Sequence, residues 1–340
     1  MTRRRLRTFL GAFGLALAGL VVSAGPAAAD PAGPTDYRTE VVRVDPATPA
    51  IDVRVVGGDS FVLLRAERGT TVDVVGYRGE PYLRFGADGT VERNEASPSR
   101  WLNDDRYGST EPPPSATPGA EPDWRVVATD GSYAWHDHRA HWMNPARPPG
   151  AEPGDTILEA VIPLVVDGDE VDVHVRSVLL ARPSPAAAIV GGSIAFAAVG
   201  ALLLGGRRVG NRSGLLTVAA GGAALATVLG GWAYRSVPAE TEPSVTLWLL
   251  PATALVAALG ALVLGRTGRV SRFGVDLLGA LAALELGLWA WSRRAAPVRA
   301  WVPTDAPQWL DRATVTGAGA LALGVAVGLL VLRRTTPTTT

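Results

Sequence analysis

The chain has 340 residues with 32 arginines, 32 acidic residues, no lysine and no cysteine. The missing cysteine excludes disulfides, thiolate metal sites, iron–sulfur clusters and cysteine nucleophiles. The zero net charge conceals two unlike parts. Residues 30–182 carry 15 arginines against 26 acids and the rest of the chain carries 17 against 6, which argues for two different environments. The acidic part argues against nucleic acid as a partner.

The N-terminus opens with the basic "MTRRRLR". The apolar "TFLGAFGLALAGLVVSAG" follows, then the small-residue stretch "AGPAAAD". This order predicts a secretory signal peptide over 1–29, cleaved after Ala29; an uncleaved first span is the alternative.

Residues 30–182 then read as a β-rich domain outside the membrane. "TEVVRV", "IDVRVV", "SFVLLRAE", "TTVDVVGY" and "PYLRF" are short, valine-rich and partly alternating. Turn residues separate them. "VIPLVVDGDEVDVHVRSVLL" predicts a hairpin turned at Asp167, Gly168 and Asp169. Seven or eight such strands predict an all-β domain, an antiparallel sandwich that is immunoglobulin-like in the broad sense. In "GYRGEPYLRFGADG", Glu80, Tyr82 and Arg84 read either as a binding edge or as a turn followed by an edge strand. The loop "GSTEPPPSATPGAEP" leads to the most distinctive stretch, "YAWHDHRAHWM".

That stretch holds His136, His138 and His141, three of the four histidines, together with Met143. On a strand His136 and His138 share a face, and a turn after Arg139 would bring His141 to them. Three imidazoles suit zinc, and the added thioether suits copper. Asp137 would then be a ligand or would orient one. The competing reading is a strand that packs Trp135 and Trp142, with histidines bonded to carbonyls. Asp137 and Arg139 would then form a surface pair of little energetic weight. His174 reads as an ordinary strand residue.

From 183 the composition becomes that of a membrane domain, to 334, with a cytoplasmic tail at 335–340. Five apolar runs of about 20 residues are each long enough to cross a bilayer: 185–206, 214–234, 245–265, 273–291 and 314–332. "RRVGNR" and "RTGRVSR" carry three arginines each, and positive links stay in the cytoplasm. The β domain is then outside and the C-terminus inside, in a multi-pass protein of the cell membrane. "RRAAPVRAWVPTDAPQWLDR", with four arginines, opposes this topology. Trp232, Tyr234, Trp248, Trp289 and Trp291 read as an interfacial belt at the outer ends. Asp276 falls near a span end. Glu285 lies deeper, with Arg293 or Arg294 as its expected partner; an acid at that depth faces the bundle interior.

Taken together, "GYRGEPYLRFGADG", "SRWLND" and "YAWHDHRAHWM" resemble an uncharacterised family of envelope proteins from GC-rich Gram-positive bacteria. The resemblance implies a signal peptide, a β-rich outer domain and C-terminal spans, and no catalytic residue.

No Walker loop, dinucleotide fingerprint, HExxH pair or nucleophile elbow occurs, so the sequence points away from an enzyme. Three functions stay open. The leading one is a membrane-anchored protein that binds or senses a ligand outside the membrane, copper or zinc at the histidines included. The second is a transport component that uses Glu285. The third is an assembly factor whose histidine–tryptophan cluster docks the outer domain, with Trp301 and Trp309 as contacts. The expected partners are the lipid bilayer and another membrane or envelope protein.

Overall fold

The computed structural model describes residues 31–205 and 212–334. The expected signal segment 1–29, most of "RRVGNR" and the tail 335–340 lie outside the described residues.

Among the described residues, ten antiparallel strands form the N-terminal part. They are β1 (Tyr37–Asp45), β2 (Ile51–Val56), β3 (Phe61–Ala66), β4 (Val72–Val75), β5 (Pro81–Phe85), β6 (Val91–Asn94), β7 (Trp124–Ala128), β8 (Ser132–Trp135), β9 (Thr156–Val166) and β10 (Asp169–Leu179), with a short helix α1 (Pro98–Leu102) after β6. One sheet runs β1-β10-β9-β4-β5-β6-β7 and the other β2-β3-β8. Val53, Val62 and Leu64 from the smaller sheet share one core with Val74, Phe85, Ile162, Leu164 and Val173 from the larger. The alternation in the sequence drives this. On β10, Val171, Val173, Val175, Ser177 and Leu179 are buried and the residues between them are not, as a period of two requires. The β9–β10 turn puts Asp167 at φ 51° and Gly168 at φ 94°, the signs of a two-residue hairpin turn.

Two expectations need correction here. β5 lies between β4 and β6, so "PYLRF" is an interior strand, and Glu80 and Tyr82 are buried. The Glu80 carboxylate accepts hydrogen bonds from the hydroxyls of Ser97 (3.0 Å) and Ser99 (2.6 Å). It ties the start of α1 to the β4–β5 turn and is not a binding edge.

Five helices follow: α2 (Ala186–Gly205), α3 (Arg212–Arg235), α4 (Thr246–Arg266), α5 (Arg272–Ser292) and α6 (Gln308–Arg334). All five are long and apolar enough to cross a membrane, which makes this a multi-pass membrane protein. Helices α3, α4, α5 and α6 close a ring, and α2 packs on its outside against α6. Small residues set the approaches. A Cβ at Gly230 would overlap the Leu247 carbonyl, and one at Gly191 would overlap that of Ala313. Helix α6 starts six residues before the expected run, because Asp311 and Arg312 are used inside the protein. Asp311 pairs with Arg293 at 2.7 Å, and Arg312 donates to the carbonyls of Ala296 and Ala300.

The C-termini of α3 and α5 and the N-termini of α4 and α6 gather at the end of the bundle that meets the β domain. Trp232, Trp248, Trp291 and Trp309 are exposed there. Trp289 departs from the belt. It is fully buried, and its indole N–H donates to the Leu247 carbonyl at 2.6 Å.

Candidate functional site

The histidine stretch is a turn rather than a strand. Pairing with β3 runs out at Val62↔Trp135, because β3 begins at Phe61. Beyond Trp135 the chain folds over itself, and the Ala140 N–H reaches the Asp137 carbonyl at 2.8 Å. His136 and His138 therefore do not share a strand face. Asp137 organises the turn. Its carboxylate accepts from the Trp135 indole (3.0 Å), the Arg139 N–H (3.0 Å) and the Arg139 guanidinium (2.9 and 2.8 Å). Asp137 has no exposure and Arg139 little, so the expected surface pair is a buried one.

The three imidazoles are drawn together. Ring centroids lie 6.1 Å apart for His136 and His141 and 5.2 Å for His138 and His141. His136 stacks on Phe61 and His138 on Tyr77. Each ring has one nitrogen at a backbone carbonyl: His136 Nδ1 at Ser60 (2.6 Å), His138 Nε2 at Asp105 (3.1 Å) and His141 Nε2 at Arg106 (2.7 Å). A carbonyl oxygen only accepts, so these nitrogens carry the protons. Met143 reaches the same place. A Cβ at Gly108, where φ is +64°, would lie 2.7 Å from His138 Cε1 and 3.2 Å from Met143 Cε. Among the described residues, however, no group of three or more His, Cys, Asp or Glu side chains is arranged to hold a metal ion. The rings act as braces. His138 and His141 hold the 105–106 segment against the turn, where Arg106 forms a bidentate pair with buried Asp59, and His136 holds the start of β3 at Ser60.

Burial pushes the His141 pKa down to about 3, and the Arg106 charge adds to this. His138 is lowered as well, again chiefly by burial. An imidazole held neutral in the fold contributes stability above its unfolded value of about 6.5 and loses it as pH falls toward the folded value. Unfolding free energy is therefore expected to decline between about pH 6.5 and about pH 3. A His141→Gln variant, melted across that range, should show a shallower decline.

The same region meets the helices. Thr35 and Trp301 exchange backbone hydrogen bonds of 3.0 and 2.9 Å, an antiparallel bridge between the segment before β1 and the α5–α6 link. Asp36, beside it, is a buried hub. Its carboxylate accepts from Arg147 (2.9 Å), Arg299 (2.9 Å) and the Ala300 N–H (2.9 Å). On the other side, Glu240 in the α3–α4 link accepts from Arg65 (2.8 Å) and Ser132 (2.9 Å). His136 stands between these two anchorages and lines a cleft at each. One, of about 250 Å³, includes Asp36, Arg106, Trp142 and Arg299. The other, of about 420 Å³, joins Arg93, Arg125, Tyr133 and Trp135 of the β domain to Glu240 and Glu242 of the link. Arg93 pairs with Glu95 and Arg100 with Asp104. Among the described residues Arg125 and Glu242 are the cleft charges in no salt bridge. Glu242 holds a left-handed φ of 47°, a conformation that costs a non-glycine residue on the order of 1 kcal/mol or more and recurs at ligand sites.

Within the bundle, Asp276 pairs with Arg212 at 2.8 Å, so it fastens α5 to α3. Glu285 is buried on the inner face of α5, and its Oε2 has no hydrogen-bond partner. The expected arginines are engaged elsewhere: Arg293 binds Asp311, and Arg294 lies over the Trp291 ring.

Of the sequence candidates, His136, His138, His141 and Met143 are brought together. Glu285 and Asp276 are remote from them and from each other. Asp36, Glu240 and Glu242 escaped sequence reading. Asp36 meets Arg299 across 263 positions, and no local pattern encodes such a pair.

The architecture is that of a multi-pass membrane protein with a β-rich domain seated on one end of its helix bundle. Comparison of the chain with family models, with curated proteins and with solved structures finds no match.

Proposed function

We propose that this is a cell-envelope protein whose β domain, a two-sheet sandwich on the outer side of the membrane, binds a small ligand where it meets the helices. The helices would then sense the occupied cleft. One observation carries the reading: the larger cleft takes its lining from both parts, with Arg125 from the β domain and Glu242 from the α3–α4 link. Two unneutralised charges of opposite sign favour a zwitterion, an amino acid or short peptide. Its carboxylate would meet Arg125 and its ammonium Glu242.

The outward orientation rests on charge. "RTGRVSR" links α4 to α5 at the far end of the bundle. The four arginines that oppose this topology are largely spoken for: Arg293 by Asp311, Arg299 by Asp36, and Arg312 by carbonyls. The rule counts arginines and gives acids little weight, so these four still oppose the orientation, and the six arginines of "RRVGNR" and "RTGRVSR" outnumber them. A cleaved signal peptide and membership of the envelope family resembled by "YAWHDHRAHWM" belong to the same proposal.

The test is thermal shift of the full chain in detergent against amino acids and dipeptides. At least one should raise the melting temperature, and Arg125→Ala should weaken its binding by about tenfold or more, as loss of a hydrogen bond to a charged group does. A panel without effect on folded protein overturns the cleft reading.

Copper or zinc on the histidines is the second reading. Two observations favour it. The ring protons are fixed on carbonyls, as in histidines that ligate through the other nitrogen, and His141 Nδ1 is buried without a partner. Metal content of the purified full chain, stoichiometric in copper or zinc and lost in His138→Ala and His141→Ala, would support it; a folded chain that takes up neither metal would overturn it.

A further inference from the structure

A groove of about 640 Å³ lies between α5 and α6 on their exposed face. That lies within the ~300–1,000 Å³ of small-molecule sites. Ala283, Gly287, Gly319 and Ala322 give it a small-residue floor, leucines line its sides, and Trp291 and Arg294 stand at one end. That end faces the β domain, at the level of the exposed tryptophans. Arg294 stacks over the Trp291 ring at 4.7 Å and donates to the Trp291 carbonyl. Among the described residues no carboxylate pairs with it, whereas Arg293, Arg299 and Arg212 each have one.

We infer that this groove seats one acyl chain of an anionic phospholipid, with its phosphate on Arg294. The occupant follows from charge and from what drives contacts in a bilayer. A lipid tail gains no hydrophobic energy by moving from other tails to an apolar wall. Selection must therefore come from the headgroup, and the groove carries a single polar end with a single unpaired cation. A second copy packed groove to groove about a two-fold axis would cover the small-residue floor but would bring its own Arg294 to that end, leaving the charge unmet. The inference needs the helices to be membrane-embedded and is independent of the ligand cleft.

The experiment is native mass spectrometry of the full chain equilibrated with equal phosphatidylglycerol and phosphatidylcholine. Phosphatidylglycerol should be retained preferentially, and Arg294→Gln should cut that preference about five-fold, the weight of one arginine near an anionic surface. Gly287→Leu, which fills the groove with Arg294 intact, should reduce retention of both lipids. If that variant fails to fold, the exposed Arg294→Gln change still decides. Equal retention of both lipids by the unmodified chain overturns the inference. So does efficient disulfide dimerisation of Leu284→Cys in phosphatidylglycerol vesicles, which would show a second copy on the groove.

Discussion

Asp36→Asn is expected to loosen the β domain from the helices and to cost about 3–5 kcal/mol, the range for removing one partner of a buried charge pair. The side chain is fully buried between two arginines and a backbone N–H. Asparagine keeps the size but removes the charge, and it turns an NH2 group toward donors. Hydrogen exchange should then accelerate at Thr35 and at 299–302, while α3 to α6 stay protected. Arg299→Gln should have a smaller effect, because Arg147 remains. The pH dependence has a defined sign. Burial pushes the Asp36 pKa up, but the hydrogen bonds from Arg147, Ala300 and Arg299 outweigh it and hold the carboxyl below its ordinary value of 3.8. Its contribution is therefore present above about pH 4 and lost as pH falls through the lower folded value. The difference from Asp36→Asn should be constant near neutrality and shrink only in stronger acid.

Asp137→Asn should be of similar size, again about 3–5 kcal/mol, but should act inside the β domain. The carboxylate serves four donor contacts in the interior. Burial opposes its ionisation, yet Arg139 and the Trp135 indole hold it ionised, below the ordinary carboxylate range. Without its charge, Arg139 keeps the Val75 carbonyl and the face of Tyr77. The turn would lose its organising centre, and the three imidazole–carbonyl bonds with it. Trp135→Phe, which removes one donor to that charged carboxylate, should cost less, about 1.5–3 kcal/mol from hydrogen bonding. The double variant Asp137→Asn, Arg139→Gln should recover part of the loss, since no unpaired charge is left inside. Chemical denaturation of the three variants checks the order.

The strands and spans were legible because period and length are local properties. Valine alternation placed β1 to β5 and the final hairpin, and runs of about 20 apolar residues placed the helices within a few positions, the start of α6 excepted. The histidine stretch misled because its alternation continues past the point where β3 ends. A strand needs a partner as well as a pattern. Asp137 and Arg139, two apart, look like a surface pair until the turn buries them. The start of α6 was hidden because Asp311 and Arg312 read as interfacial charge, whereas both are satisfied inside the fold. The junction was the least legible part. Thr35, Asp36 and Glu240 belong to irregular segments, and their partners are set by how the two parts of the chain come together.

The β domain and the helix bundle form one docked body, and the proposed site lies at their junction. Because the chain has no cysteine, a single engineered pair reports on this without background. Thr35 and Trp301 face one another as a hydrogen-bonded antiparallel pair, whose Cα separation of about 5.5 Å suits a disulfide. In membranes, Thr35→Cys with Trp301→Cys should cross-link nearly completely on mild oxidation, while Asp169→Cys with Trp301→Cys, using the distant β9–β10 turn, should not. Failure of the first pair to close, or equal closure of both, would contradict the docked arrangement.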